Sequence, residues 1–295
     1  KSIRKVGGLY TVVYHGEYEE RLQWLHDYHV KGSSKQNLKS NCSLFAAYTG
    51  TEEPILGRNF DRLRETPVLG KFSAPGTYAS FAFSPASEVN LSEVVGVKNP
   101  TEEQKNMFLY CLPFFATDGI NEKGLSIAIA GAPPRRVNRP EDCEPMFVLL
   151  FIRRVLDNCQ NVEEVAIFAE AVRLYDSDIG TISHHFIAVD ATGEWLVIDF
   201  PDGNLRLSHG KGEPQIRTNH FPEGGDAIEH TSFSRYNALY EALNASGIPA
   251  SDTDAMELLR QVRNETKWSV VYNSSSCSGI FAVKEKFERQ YHFGF

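Results

Sequence analysis

The residues best suited to chemistry lie close together near the start of this 295-residue chain: Asn41-Cys42-Ser43, then Gly57-Arg58-Asn59-Phe60-Asp61. A cysteine that becomes a chain terminus carries its nucleophile and its base on one residue. The thiol has an ordinary pKa of about 8.5 and an α-amine one of about 7.7–8.0, so a useful share of the amine is unprotonated near neutrality. That amine can take the thiol proton directly or through a water, the terminal-amine form of a nucleophile–base pair. Arg58 is a cation of the kind that favours thiolate, and Asp61 is a carboxylate able to orient the ammonium formed during reaction. The ordinary alternative is a structural cysteine before a surface Arg/Asp pair, since free cysteine is among the most buried residue types.

Further strings follow in order downstream: Asp118-Gly119-Ile120-Asn121-Glu122-Lys123-Gly124-Leu125, Thr218-Asn219-His220-Phe221, Ser234-Arg235-Tyr236 and Trp268-Ser269-Val270-Val271-Tyr272-Asn273. With Cys42-Ser43-Leu44-Phe45-Ala46-Ala47 and Ile55-Leu56 leading into the Gly57–Asp61 string, this series resembles the choloylglycine hydrolase and penicillin V acylase family of N-terminal-nucleophile hydrolases. It is most similar to that family's acyl-coenzyme A:6-aminopenicillanate acyltransferase-like branch. The resemblance runs from Leu9 to the end of the sequence.

The resemblance implies self-cleavage at Asn41–Cys42, in which the thiol attacks the preceding carbonyl, the acyl group shifts from nitrogen to sulfur and frees the Cys42 amine, and water hydrolyses the resulting thioester to the Asn41 carboxylate and the thiol. Residues 1–41 would then be a prosegment, cleaved off or retained, and residues 42–295 the catalytic domain. Cys42 would be the nucleophile. Asp61 would accept hydrogen bonds from its α-amine, and Arg58 would stabilise the thiolate beside the bound acyl group. Asn219 would supply an amide to the oxyanion, and the Gly131 backbone N–H a second donor, because Ala130-Gly131-Ala132 stands where bile-salt hydrolases carry an asparagine. Arg235 would support the site through a carboxylate or on the leaving-group side. Arg62 stands where the family often has tryptophan, a departure that bears on the acyl pocket.

Each of these has a plainer alternative: an exposed turn for Asp61, an ion pair with Asp61 or Glu65 for Arg58, a cap before Pro222 for Asn219, and a solvated or ion-paired side chain for Arg235. Asn121 and Glu122 read as turn residues. Adjacent His184 and His185 on a strand face opposite ways and have no further ligand at useful spacing. No metal site and no Gly-rich phosphate loop is read, and no cofactor is expected.

The chemistry expected is therefore hydrolysis of a linear amide in a small-molecule N-acyl substrate, through an acyl-thioester on Cys42. Conjugated bile salts, phenoxyacetyl penicillins, N-acyl homoserine lactones, N-acyl amino acids and fatty amides all fit the family. Phe45, Phe60, Phe81, Phe83, Phe114 and Phe115 lie near the motifs and suggest an apolar acyl pocket, although core is the commoner fate of such residues. Two other readings stay open. One is an acyltransferase in which an amine resolves the thioester; the other is a non-catalytic binding relative whose pocket the prosegment plugs. A homo-oligomer is expected by family analogy alone.

Composition narrows the classes. A 42% hydrophobic and 12% aromatic content suffices for a packed core, and a formal charge of −8 argues against a nucleic-acid surface. No apolar run reaches membrane-spanning length. Five cysteines without a C-x-x-C pair fit a reduced or sparsely bridged protein. The sequence opens at Lys1 rather than Met, so removal of an upstream segment stays open, and with it the compartment, cytoplasmic or exported.

The elements that must position these residues follow from periodicity and turn signals. Gly8–Tyr14 reads as a strand, Glu17–Val30 as a short helix and Lys31–Ser40 as a polar linker ending at the cleavage junction. Cys42–Phe60 reads as two antiparallel strands around the turn Tyr48–Pro54, which would bring Arg58 and Asp61 back to Cys42. Tyr78–Phe83, Val94–Val97, Phe108–Phe115 and Leu125–Gly131 are β-rich. Helices are expected at Glu144–Leu156, Val162–Ala171, Ser232–Ser246 and Asp252–Arg263, the last capped by Asp252. Thr181–Asp190 and Glu194–Phe200 form a hairpin, and Trp268–Tyr272 and Ser278–Val283 are closing strands. Helices packed on stacked sheets define an α+β class, which the resemblance sharpens to a four-layer αββα sandwich of antiparallel sheets.

Overall fold

The computed structural model describes residues 2–6, 8–16, 41–62, 65–86, 101–140, 142–176, 179–245 and 249–295. The helix expected over Glu17–Val30, the linker Lys31–Ser40 and the strand Val94–Val97 lie outside these residues. With strands numbered along the chain, one sheet runs β1 (Ser2–Val6), β2 (Leu9–His15), β5 (Pro67–Ser73), β6 (Ser80–Pro85), β7 (Asp118–Asn121), β8 (Ser126–Arg136), β11 (Thr181–Val189), β12 (Glu194–Asp199) and β13 (Arg206–Lys211). The second runs β14 (Gln215–Arg217), β3 (Asn41–Tyr48), β4 (Pro54–Asp61), β15 (Thr266–Asn273), β16 (Ser278–Val283) and β17 (Tyr291–Gly294). Pairing within both sheets is antiparallel apart from β2 with β5. A small parallel pair, β9 (Glu144–Phe147) with β10 (Val172–Tyr175), stands apart.

Strand alternation builds the layers. Cys42, Leu44 and Ala46 of β3 enter the core between the two sheets, where they meet Phe60, Trp268 and Tyr272 of their own sheet and Leu69, Phe83, Ile120 and Ala128 of the other. Phe45 and Ala47 point the opposite way, to a core covered by α4 (Ser232–Ala245) and α5 (Asp252–Gln261) through Leu239, Leu243, Met256 and Leu259. The far face of the large sheet packs on α2 (Val148–Asn158) and α3 (Val162–Ala171), which follow α1 (Glu102–Cys111) in the chain. Both sheets are thus covered on both faces, which explains their nearly continuous apolar strands. The order is helix, sheet, sheet, helix: an α+β sandwich. Among the described residues no helix is long and apolar enough to cross a membrane.

The Asn121–Leu125 string is a turn with a tether, as its composition indicates. Gly124 adopts φ +82° and its N–H donates to Asn121 O at 3.0 Å. The Asn121 side chain accepts from the N–H groups of Lys123 and Leu125, and donates to Leu156 O and Cys159 O at 3.0 and 2.7 Å. It therefore ties the β7–β8 hairpin to α2.

Three local expectations are corrected. The apolar run Phe108–Phe115 is not a strand; it is the end of α1 and a 3-10 turn, Leu112–Phe114. Pro113 has no N–H for a ladder, and Glu102 and Glu103 suit a helix start. Glu144–Phe147 is strand rather than the first turn of α2, because β10, far off in sequence, offers it a parallel partner. Ser251, not Asp252, caps α5: its hydroxyl accepts from the Asp254 N–H.

Candidate active site

The β3–β4 register sets Cys42 opposite Phe60 and Asn41 opposite Asp61. Arg58, two residues from Phe60, shares its face, so its guanidinium reaches diagonally to the cysteine, with Nη2 3.8 Å from Cys42 Sγ. Both residues are fully buried. Asp61 ends β4: its Oδ1 accepts from Thr266 Oγ1 at 2.5 Å, while its buried Oδ2 has no hydrogen-bond partner among the described residues. Burial pushes the Asp61 carboxyl up to about 7, against the opposing pull of Arg235, the Thr266 hydroxyl and Arg58.

β14 pairs with β3, Arg217 opposite Leu44, so the chain continuing through Thr218 runs Asn219 alongside Cys42. The Cys42 N–H donates to Asn219 Oδ1 at 2.9 Å, and Asn219 Nδ2 donates to Gly131 O at 2.9 Å. Arg235 Nη2 donates to the same Oδ1 at 2.7 Å, so the amide can face only one way. The Ser232 hydroxyl holds the Asn219 N–H at 2.7 Å. From the other sheet, the His185 ring contacts Thr218 O at 2.6 Å.

Gly131 presents its peptide to this space. Ile129, two residues earlier, turns its N–H to Thr117 O and its carbonyl to Arg58 Nη2. N–H and C=O of alternate residues in a strand share an edge, so the Gly131 N–H lies on the edge from which its carbonyl meets Asn219. That edge runs on past the first residue of β7.

Arg235 is neither solvated nor peripheral. It is buried, and Nη1 donates to Cys42 O at 2.6 Å and to Ser43 Oγ at 2.7 Å. The same guanidinium pairs with Glu229 and lies 3.9 Å from Asp61 Oδ2. A single side chain thus links the cysteine, the asparagine and two carboxylates.

The ion-pair partner of Arg58 is neither Asp61 nor Glu65 but Asp118, whose Oδ2 pairs with Nη1. Sequence reasoning quoted Asp118 within a motif and gave it no role. The available signal was an acid, fully buried here, separated only by Thr117 from the apolar run Leu112-Pro113-Phe114-Phe115-Ala116. Arg62 lies 3.9 Å from Glu65. The six phenylalanines do not gather in one pocket: Phe45 belongs to the core under α4 and α5, Phe114 and Phe115 to the core under α2, and Phe60, Phe81 and Phe83 to the space between sheets. His184 and His185 face opposite ways, toward Asp176 and toward Thr218 and Asp199. Although burial raises it, the nearby His185 ring and the hydrogen-bonded Arg217 guanidinium hold the Asp199 carboxyl well below the usual range. Cys42, Arg58, Asp61, Gly131, Asn219 and Arg235 therefore converge, from two sheets and one helix, on a single buried cluster.

The fold is that of the N-terminal-nucleophile hydrolases of the choloylglycine hydrolase kind. Residues 111–283 match the family described as acyl-coenzyme A:6-aminopenicillanic acid acyl-transferase, and the chain belongs to that family. The matched stretch includes Asp118, Gly131, Asn219 and Arg235, and begins after Cys42, Arg58 and Asp61. Among solved structures, the fold is similar to a variant of conjugated bile acid hydrolase from Clostridium perfringens (TM-score 0.59, 15% identity, 86% of this chain and 92% of that one). It is also similar to penicillin V acylase from Agrobacterium tumefaciens (TM-score 0.56, 16% identity, 82% and 83%). A Caenorhabditis elegans ortholog of N-acylethanolamine-hydrolyzing acid amidase shows the same likeness (TM-score 0.50, 17% identity, 79% and 93%). No protein of curated function matches the chain by sequence.

Proposed function

We propose that this chain is an amidase that cuts the Asn41–Cys42 bond and then uses the exposed Cys42 to hydrolyse the linear amide of an N-acyl substrate. The Cys42 amine takes the thiol proton and the sulfur attacks the acyl carbonyl. Asn219 Nδ2 and the Gly131 N–H hold the resulting oxyanion. The C–N bond breaks as the Cys42 ammonium returns its proton to the departing nitrogen, and water then hydrolyses the acyl-thioester. Asp61, whose buried Oδ2 has no hydrogen-bond partner among the described residues, accepts a hydrogen bond from the ammonium.

The observation that carries this reading is that the nitrogen and the sulfur of Cys42 each meet a polar side chain, at Asn219 Oδ1 and Arg58 Nη2, in one buried cluster. The substrate class is supported by the named activities of the structural neighbours, which act on conjugated bile acids, penicillin V and N-acylethanolamines. The name of the family favours a second reading, transfer of the acyl group to an amine in place of water.

The test is intact-mass analysis of the full chain followed by incubation with a panel of N-acyl amides. Wild type should split at Asn41–Cys42 and release the amine, whereas Cys42→Ala should stay in one piece and turn over nothing. Turnover by Cys42→Ala overturns the proposal. An added amine acceptor that captures the acyl group in preference to water would select the transferase.

We further infer that residues 1–41 remain bound after cleavage. The support is that β1 and β2 precede the cleavage site yet form the edge of the large sheet, with Leu9, Val12 and Tyr14 buried.

A further inference from the structure

Arg58 is held in a cage whose purpose the hydrolytic scheme leaves open. Its Nη1 pairs with Asp118 Oδ2 and donates to Thr117 Oγ1 at 3.0 Å, while Nη2 divides between Ile129 O at 3.2 Å and Cys42 Sγ. The planes of Phe60 and Trp268 stack on each other, with the guanidinium carbon 4.8 and 5.4 Å from the two ring centres. Asp118 is held in turn. Tyr272 Oη donates to its Oδ1 at 2.5 Å, Trp268 Nε1 to its Oδ2 at 3.4 Å, and Thr117 Oγ1 lies 3.0 Å from Oδ2. Burial pushes the Tyr272 hydroxyl far above its ordinary range, so it stays a donor. Burial likewise lowers the Arg58 guanidinium, opposed by Cys42, Tyr272 and Asp61. A buried cation left without a partner anion is costly.

We propose that Asp118 is a positioning residue for the nucleophile, holding the Arg58 guanidinium in the one orientation that lays Nη2 against Cys42 Sγ. Its carboxylate occupies one end of the guanidinium fork and leaves the other end to the Ile129 carbonyl and the sulfur. Tyr272 and Trp268, from the strand beyond β4, lock that carboxylate. This explains what the motif residues Asp118, Trp268 and Tyr272 do together, and it rests on Cys42 being the nucleophile.

The test compares Asp118→Asn with wild type by the ultraviolet absorbance of thiolate as a function of pH, taken as a difference against Cys42→Ala. The thiolate signal should move to higher pH, because the cation is released. Turnover of an N-acyl amide should fall on the order of a hundredfold, as for a reacting group displaced by about 1 Å. On an Arg58→Met background, Asp118→Asn should cost little more, since residues acting through one another are not additive. A thiolate signal unchanged or moved to lower pH, or a full additive loss in the double variant, overturns the proposal. If Asp118→Asn does not fold, Tyr272→Phe leaves both charges in place and should shift the signal in the same direction by less; no shift there overturns the proposal equally. The thiolate measurement reads the Asp118–Arg58–Cys42 coupling even in a protein that hydrolyses nothing, so its failure is distinct from failure of the amidase reading.

Discussion

Asp61 carries the clearest residue-scale consequence. Its ordinary carboxyl value is 3.8 and its value in the folded chain is about 7. Between these, the folded uncleaved chain holds a proton that the unfolded chain does not, so its contribution to stability is largest below the lower value and is lost as pH rises through the upper one. Uncleavable Cys42→Ala should therefore unfold at lower urea at about pH 8 than at about pH 5, and adding Asp61→Asn should flatten that difference. In the cleaved protein the new Cys42 ammonium supplies a cation near this carboxyl, which lowers its pKa, so the fall should shrink there. An equal fall in Cys42→Ala and Cys42→Ala/Asp61→Asn would show that Asp61 is not the group responsible. Arg235 belongs to the same scale. It lines up Cys42 O, Ser43 Oγ and Asn219 Oδ1 on one guanidinium, a geometry that its place in Ser234-Arg235-Tyr236 does not announce.

Among elements, the β3–β4 hairpin does most to assemble the cluster, and Gly57 makes the hairpin possible. Gly57 stands opposite Phe45, whose ring lies across it; a Cβ at Gly57 would sit 2.3 Å from Phe45 Cζ. A glycine inside a strand commonly marks such a close approach. Gly57→Ala forces the ring into the packed core under α4 and α5, and overpacking of this kind costs about 1–3 kcal/mol. A lowered urea midpoint is expected, partly restored by adding Phe45→Leu; an unchanged midpoint would show that the ring has room to move. Periodicity read this hairpin correctly because its strands are local partners joined by a short turn. It misread Phe108–Phe115 because a short apolar run fits a helix end as well as a strand. It missed β9 because the partner strand lies beyond α2 and α3.

At the scale of the whole molecule, the large sheet begins with residues upstream of the proposed cleavage site. β2 pairs with β5 over six residues in parallel, and Tyr14 stacks on Phe72 with ring centres 5.1 Å apart. Burying side chains such as Leu9, Val12 and Tyr14 is worth roughly 1.5–3 kcal/mol each, so detaching this edge is costly. After cleavage, the fragment 1–41 should co-elute with residues 42–295 on size exclusion in native buffer and separate only in denaturant. Separation in native buffer without loss of structure would show that the edge strands are dispensable. The same scale explains how the cluster is fed. Arg58 and Asp61 come from the small sheet, Asp118 and Gly131 from the large one, and Asn219 from the segment that leaves the large sheet and lays β14 against β3.

By itself, the amino-acid sequence determined the α+β class, the hairpin that returns Arg58 to Cys42, and the residue types able to do thiol chemistry. These are properties of local pattern and of ordered motifs. Tertiary structure alone decided that Arg58 pairs with Asp118 rather than Asp61, that Arg235 is buried against the Cys42 carbonyl, and that the aromatic residues divide among three cores. The physical reason is that a buried charge is satisfied by whichever partner the packing of the two sheets brings within a few ångströms, and sequence spacing carries no measure of that distance.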